Sequence, residues 1–342
     1  MINLSCDYTR SACKEVLEAL SWADGQYSGY SEDELCAEAR EMVREMCDYP
    51  DADVHFMVGG TQTNMTFISS VLRPHQGVVC ANTGHINVHE TGAIESSGHK
   101  VLTIQAHNQL NGKLTAEDVE AVAYSHRTDP NFEHVVKPGM VYISNPTELG
   151  TIYSLAELAE ISETCHRNNL ILYLDGARLA YGLASPDNDL TLSAIARLVD
   201  AFYIGGTKCG ALFGEALVIT NPALKSDFRY IMKQRGALLA KGFLLGAQFL
   251  ALLPVLPRYA AHAISEAQRI RHALIEADVP LYIDSPTNQI FPILKPDSPL
   301  LRALKEQFII DPWPDDTYRI TTDWSTRSED IDLLIETIKD TH

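Results

Sequence analysis

The chain has 342 residues, 46% of them hydrophobic and 21% charged, and a formal net charge of −18. That length buries a full core and exceeds the need of most single compact units, so one large domain with a smaller companion is expected. Such an excess of acid argues against a nucleic-acid or anionic-membrane surface, because counterion release needs a basic face.

Seven cysteines (Cys6, Cys13, Cys36, Cys47, Cys80, Cys165 and Cys209) are scattered without a C-x-x-C pair. The pattern suits a reducing compartment better than a disulfide framework or a zinc site. The N-terminus MINLSCDYTR lacks the cationic start and apolar run of a signal peptide, and the apolar stretch GFLLGAQFLALLPVL is too interrupted to span a bilayer. The expectation is a cytoplasmic protein with no membrane partner.

In chain order, the first candidate site is Gly59-Gly60-Thr61-Gln62-Thr63-Asn64, directly before a helical pattern carrying Phe67, Ile68, Val71 and Leu72. Glycines there let backbone N–H groups approach an anion, and the helix N-terminus adds partial positive charge. The alternative is a plain helix entry capped by Thr61 or Thr63. Next comes Thr83-Gly84-His85-Ile86-Asn87-Val88-His89-Glu90. An imidazole such as His85 can stack on an aromatic ring and move protons near neutral pH. His85 and His89 would share a helical face, which opens a metal-pair reading, although a catalytic zinc wants three protein ligands. A buried or capping histidine is the other alternative.

Thr115 with Asp118 opens a predicted helix, and Met140 to Ser144 reads as a strand. Ser154 and Glu157 form a capping box for a helix with Leu155, Leu158, Ile161 and Cys165 on one face. Asn168 and Asn169 stop it, and Leu170 to Leu174 is apolar on both faces, as in a buried parallel strand. That run ends at Asp175-Gly176-Ala177-Arg178. A carboxylate so placed can hold a pyridine nitrogen protonated, and Arg178 offers a planar fork to a carboxylate. An N-capping aspartate with a surface arginine is the rival reading. A further strand, Ala201 to Ile204, ends at Gly205-Gly206-Thr207-Lys208. A lysine that is desolvated or set beside other cations becomes nucleophilic and forms imines with aldehydes.

Alternating helices and buried strands imply an α/β fold with a mainly parallel sheet, whose ligand crevice lies beyond the carboxyl ends of the strands. After about Leu250 the texture changes. Pro254 and Pro257 precede a helical segment from Ala260 to Ala277 and short strand-like runs around Tyr282, Ile290 and Tyr318. The predicted division is a large domain over 1–250 and a smaller α+β domain over 251–342, with the N-terminal segment, about 1–25, packing with the latter.

Read in succession, GGTQTN, GHI-x-x-HETGAIE, LDGARLA, TK and FGEAL resemble the threonine aldolases that depend on pyridoxal 5′-phosphate, and their relatives the β-eliminating lyases. The resemblance spans nearly the whole chain, and Leu174-Asp175-Gly176-Ala177-Arg178-Leu179 is its most specific part. It implies the aspartate-aminotransferase-like fold (fold type I) and pyridoxal phosphate as cofactor, with no metal. By this resemblance Lys208 would carry the cofactor as a Schiff base, Asp175 would pair with the pyridinium nitrogen and His85 would stack on the ring. Gly60 and Thr61 would bind the phosphate, with Thr207 nearby. Arg178 and Arg319, the latter from the run Tyr318-Arg319-Ile320-Thr321-Thr322, would clasp the substrate carboxylate, with Cys6 beside it. His134 would be the second active-site histidine, and Lys233 or Lys241 would reach a neighbouring subunit's phosphate site. A homodimer or homotetramer with shared sites follows.

The chain departs from the family at Cys6-Asp7 (for Ser-Asp), at Gly59 (for the serine of the phosphate loop) and at Asn145-Pro146-Thr147-Glu148 (for Asn-Thr-His-Asn). Gly236 stands alone where the family has a glycine triplet. These changes bear on the pocket for the substrate's β-substituent. The implied reaction is retro-aldol cleavage of a β-hydroxy-α-amino acid such as threonine to glycine and an aldehyde. The base is His85, His134 or a water. The alternatives are β-elimination with the same cofactor and, from another class, a metal-dependent hydrolase using His85 and His89.

Overall fold

The computed structural model describes residues 1–105 and 111–341. Its strands, in chain order, are β1 (Ile2–Asn3), β2 (Asp53–Met57), β3 (Gln76–Ala81), β4 (Val101–Ile104), β5 (Lys137–Ser144), β6 (Ile171–Asp175), β7 (Ala201–Gly205), β8 (Glu215–Ile219), β9 (Gln289–Ile290), β10 (Phe308–Ile309), β11 (Asp311–Trp313) and β12 (Thr317–Thr321). Strands β2 to β8 form one seven-stranded sheet in the order β2-β8-β7-β6-β5-β3-β4. Strand β8 runs antiparallel to both its neighbours, and every other pair is parallel. The mainly parallel α/β architecture expected from the sequence is what forms.

The sheet strands are apolar on both faces because both faces are covered. Val141, Ile143, Leu172, Leu174, Phe202 and Ile204 enter one core, beneath helices Glu34–Cys47, Leu155–Arg167 and Phe243–Leu252. Met140, Tyr142, Tyr173 and Tyr203 enter the other, beneath helices Gly60–Val71 and Phe228–Gln234. Phe202 is fully buried, so truncating it to Ala would cost about 3–5 kcal/mol. The predicted Ser154–Glu157 capping box is present, and Thr115 with Asp118, expected to open a helix, forms a second one. They fix where two crossover helices begin.

The long helix Leu256–Glu276 links two cores. Its first half gives Leu256, Ala260, Ala263 and Ile264 to a core of the sheet. Its second half gives Ala267, Ile270, Ala273 and Leu274 to a third core with Ile290, Phe308, Ile320 and Ile338. Leu4 lies in that third core, and β1 pairs in parallel with β10, so the chain's start is stitched to its C-terminal part. Strands β11, β12 and β9 form a separate antiparallel sheet. Tyr282 lies outside any strand, although its N–H donates to the Phe291 carbonyl at 2.8 Å. Among the described residues no single helix is long and apolar enough to cross a membrane.

Candidate active site

The site is built where β6 and β7 end side by side. A Cβ on Gly176 would stand 1.8 Å from the Tyr203 carbonyl oxygen, and one on Gly205 would stand 2.3 Å from that of Ala177. Only glycine fits at either place, and the gap closes enough for the Gly205 N–H to donate to the Gly176 carbonyl at 3.0 Å. The glycines flanking Asp175 and Lys208 therefore serve the approach of two strand ends, and that approach turns both side chains toward one space. It is a cavity of about 290 Å³ lined by Gly60, Thr61, His85, Asp175, Arg178, Thr207 and Lys208. An adjoining cavity of about 330 Å³ shares His85, Arg178 and Lys208 and adds His89, Asp311 and Arg319 from the C-terminal part. Six residues expected to bind the cofactor or act in catalysis (Gly60, Thr61, His85, Asp175, Thr207 and Lys208) thus meet with both arginines.

Asp175 is buried and accepts four hydrogen bonds. Tyr203 Oη and the Ala177 N–H donate to Oδ1 at 2.6 and 3.0 Å; Tyr142 Oη and Asn64 Nδ2 donate to Oδ2 at 2.6 and 3.0 Å. Burial alone would raise the carboxyl's pKa, but His85 and the two phenols together hold it below the ordinary value. Four donors aimed at one carboxylate keep it ionised in a dry site.

His85 is the other end of the same network. Its Nδ1 lies 2.8 Å from Glu90 Oε1, and Asn64 Nδ2 donates to that oxygen at 2.8 Å. With Glu90 buried against Nδ1, the imidazole is fixed in orientation, and Nε2 has no hydrogen-bond partner among the described residues. Glu148 sits across from it and lines both cavities. Its Oε1 accepts from the His85 N–H at 2.9 Å and from Ser144 Oγ at 2.7 Å. Burial and, more weakly, the nearby Asp175 push its carboxyl up from the usual range.

Lys208 makes no hydrogen bond or ion pair through its amine among the described residues. Burial first, and then the Arg178 guanidinium, lower its pKa, which raises the fraction of free amine. Arg178 is held by Asp7, which accepts from Nε at 2.6 Å and from Nη2 at 2.9 Å; among the described residues Nη1 has no hydrogen-bond partner. Arg319 donates from Nη2 to Asp311 at 2.7 Å and from Nη1 to Gln289 at 3.2 Å. Helix Gly60–Val71 begins at Gly59 with no side-chain cap. The alternative of a threonine-capped entry turn does not form, because Thr63 Oγ1 donates backward to the Gly59 carbonyl at 2.9 Å.

The expectation for His134 is corrected. It lies exposed in the short turn Phe132–His134 before β5, at that strand's N-terminal end, whereas Asp175 closes the C-terminal end of the neighbouring β6. A strand of eight residues separates it from the crevice. Cys6 lines neither cavity, although Tyr8, two residues on, lines both. Lys233 and Lys241 are exposed and line neither; the Lys233 amine rests 4.4 Å from the centre of the Tyr30 ring. Among the described residues no group of three or more His, Cys, Asp and Glu is placed to hold a metal ion. The His85 and His89 rings, 5.5 Å apart, lack the third ligand that the hydrolase reading requires.

Asn64, Glu90, Tyr142, Tyr203 and Glu215 were not singled out from the sequence. Three of them stood inside quoted motifs, Asn64 in GGTQTN, Glu90 in HETGAIE and Glu215 in FGEAL. The tyrosines had a signal in their spacing, since Tyr142, Tyr173 and Tyr203 each precede a strand's final residue by two positions and so share its face.

Known proteins resemble this chain along most of its length. The sequence profile of the β-eliminating lyase family matches residues 3–304. A low specificity L-threonine aldolase of a Pseudomonas species is 34% identical over 306 residues, covering 86% of this chain and 84% of the relative. The enzyme of the same description from Pseudomonas aeruginosa is 32% identical over 301 residues, with coverages of 86% and 84%. Among solved structures, the Leishmania major threonine aldolase superposes with a TM-score of 0.93 at 42% identity, covering 99% of both chains. A single mutant of Thermus thermophilus aspartate aminotransferase gives 0.73 at 14% identity over 100% and 92% of the two chains, a likeness of fold alone.

Proposed function

We propose that this chain, which belongs to the β-eliminating lyase family, is a pyridoxal-phosphate-dependent aldolase. It cleaves the Cα–Cβ bond of a β-hydroxy-α-amino acid, threonine or allo-threonine, to give glycine and an aldehyde. The observation that carries the reading is the convergence of Lys208, Asp175, Arg178 and the uncapped helix start at Gly60-Thr61 on one cavity.

These residues fit the cofactor. Lys208 offers a desolvated amine to its aldehyde, and Asp175 offers an ionised carboxylate to its ring nitrogen. His85 offers a ring face. The Gly60-Thr61 turn offers N–H groups to its phosphate, with the Thr207 hydroxyl beside them. When bound, pyridoxal phosphate supplies an aldehyde that condenses with amines and a protonated ring that accepts the electron pair of a bond broken at Cα.

The protein supplies placement and proton transfer. Arg178, braced by Asp7, and Arg319, braced by Asp311, point cationic donors at the substrate carboxylate. Asp175 keeps its partner nitrogen protonated because its own pKa is held down. Glu148 takes the β-hydroxyl proton: it lines both cavities together with Lys208 and Arg178, and burial raises its basicity. His85, immobilised by Glu90, returns a proton from Nε2.

A second copy completes the assembly in this reading. Lys233 and Lys241 stay outside the chain's own cavity, and Trp22 and Tyr230 are 79% and 77% exposed. Both features support a homodimer or a homotetramer in which a lysine of one copy serves the phosphate of another. Six of the seven cysteines are buried free thiols, which supports work in a reducing compartment such as the cytoplasm. The large and small domains are assigned to 1–250 and 251–342, with the chain's start in the latter.

The test is a visible absorption spectrum of the purified protein before and after threonine, with product analysis. A yellow protein that yields acetaldehyde and glycine supports the aldolase. Pyruvate and ammonia from serine would instead identify β-elimination, which the family's name makes the one serious rival. A colourless protein inert to added cofactor would end the reading.

A further inference from the structure

The cofactor reading leaves one buried carboxylate unexplained. Glu215, the first residue of β8, is 3% exposed and faces the cavity. Register places it opposite Met57, the last residue of β2, so it stands beside the Val58-Gly59-Gly60 turn that opens the helix. Its Oε2 accepts from the Gly206 N–H at 3.0 Å, and its Oε1 accepts from Thr207 Oγ1 at 2.8 Å. Two donors at this end of the cavity are therefore engaged by a carboxyl group of the protein's own, the Gly206 N–H being shared with the Gly214 carbonyl at 3.0 Å. The Thr207 hydroxyl has Glu215 as its nearer acceptor, at 2.8 Å against 3.5 Å to the Gly214 carbonyl.

An ionised carboxylate beside a bound phosphate would repel it in a site without water to screen the charges. We infer that Glu215 carries a proton whenever the cofactor's phosphate is bound, so that cofactor binding takes up one proton and Glu215 becomes a neutral hydrogen-bonding wall of the phosphate site. The inference rests on the pyridoxal-phosphate reading above. It concerns how that group is held and adds nothing to which bond is cleaved.

The surroundings agree. Burial is the largest influence on Glu215 and pushes it up to about 7, against the opposing pull of Thr207, Lys208 and the Gly206 N–H, with Asp175 adding to the rise. The groups facing it from neighbouring elements are Lys208 and Cys209 after β7, Tyr203 on β7, and Tyr173 and Asp175 on β6. Burial drives Cys209, Tyr173 and Tyr203 far upward, so they stay neutral. Asp175 is held ionised. Lys208 is the one cation among them, and its own pKa is lowered. A proton near neutral pH therefore has Glu215 as its place.

The experiment measures the dissociation constant of pyridoxal phosphate from pH 6 to 9 for the wild type and for Glu215→Gln, which keeps the shape without the charge. The wild-type affinity should fall by roughly tenfold per pH unit above the titration. In Glu215→Gln this part of the fall should be missing, so its curve should be shallower than the wild type's by about tenfold per pH unit, and the variant should bind more tightly than the wild type at pH 8.5. Titrations of Lys208 and of the phosphate itself are common to both proteins and cancel in the comparison. Equal slopes in the two proteins overturn the inference. Should Glu215→Gln fail to fold, calorimetry decides: wild-type binding of pyridoxine 5′-phosphate, which has no aldehyde and leaves the Lys208 amine free, is measured at pH 8 in two buffers of different ionisation enthalpy. Uptake of about one proton supports the inference, and no uptake overturns it. A wild type that binds no pyridoxal phosphate at any pH would sink the functional reading, a result distinct from either of these.

Discussion

Tyr203 Oη donates to Asp175 Oδ1 at 2.6 Å across the β6–β7 boundary, while the same tyrosine's carbonyl forbids any side chain at Gly176. One residue thus fixes both the electrostatics of the carboxylate and the geometry of the turn that follows it. A hydrogen bond to a charged group contributes about 1.5–3 kcal/mol, or roughly 1–2 pKa units. Tyr203→Phe should raise the Asp175 pKa by that order and still leave it ionised at pH 7, since it starts below its ordinary value. The expected result is a loss under about tenfold in kcat at neutral pH, with the acid limb of the pH–rate profile moved upward. Asp175→Asn removes the charge and should cost about a hundredfold or more. Matching acid limbs in Tyr203→Phe and the wild type would detach the phenol from the carboxylate's titration.

Lys208 is tested by covalency. Borohydride should fix pyridoxal phosphate irreversibly to the wild type, while Lys208→Ala binds it without covalent attachment and turns over at least about ten-thousandfold more slowly. Mass spectrometry of the reduced protein reads the attachment directly. A reduced adduct of full stoichiometry in Lys208→Ala would move the role to another amine.

Glu148 can be separated from the rest of the site because it acts on the β-hydroxyl alone. Glu148→Gln still offers an oxygen to the His85 N–H and to Ser144, which now donate to the carboxylate at 2.9 and 2.7 Å. Its effect should therefore fall on proton transfer: kcat for threonine drops by about 10²-fold, the usual scale for a general base, with KM little changed. Exchange of the glycine Cα proton, followed by NMR in D₂O, involves no β-hydroxyl and should proceed at the wild-type rate. Equal losses in both reactions would make Glu148 a structural member of the site.

Much of this architecture was legible because the strongest signals are local. The Ser154–Glu157 capping box and the two-faced apolar run before Asp175 each have a short-range physical cause, and the glycines before Lys208 are a local mark of the close approach between two strand ends. From them follow the parallel sheet and the ends at which chemistry collects. Long-range pairing was not legible. Asn64 reaches Asp175 across 111 positions and Glu90 across 26, and no periodicity encodes such a contact. His134 misled for the complementary reason. Sequence order places it before a strand but does not say that the preceding turn lies at the far end of the sheet from the crevice. Glu148 was visible only as a departure from the family's loop, and its burial against Ser144 and His85 is what turns that departure into a candidate base.

A residue outside the site contributes to the acid dependence of stability. His55, on β2, packs on Phe228 with ring centres 4.7 Å apart, and its Nε2 is buried without a partner. Burial first, and then the charges of Arg40, Arg229 and Arg44, depress its pKa from 6.5 to about 3. Below pH 6.5 the unfolded chain takes up a proton that the folded chain refuses, so stability is lost as pH falls through this window, by about 1.4 kcal/mol per pH unit at most. Asp175 plays no part there, because its lowered pKa withdraws stability only below its ordinary value of 3.8. Glu215 acts in the opposite sense: raised from 4.5 to about 7, it makes the fold less stable as pH rises between those values. The two effects oppose each other from pH 4.5 to 6.5, so the wild-type profile alone cannot separate them and a single-site difference is needed. His55→Phe keeps the stacked ring and removes the titration. Its Tm should fall less than the wild type's between pH 7 and 5, by roughly 3–4 °C for a difference of about 2 kcal/mol. Parallel Tm profiles for the two proteins over that range would show that His55 is protonated in the fold and that the acid limb belongs to another group.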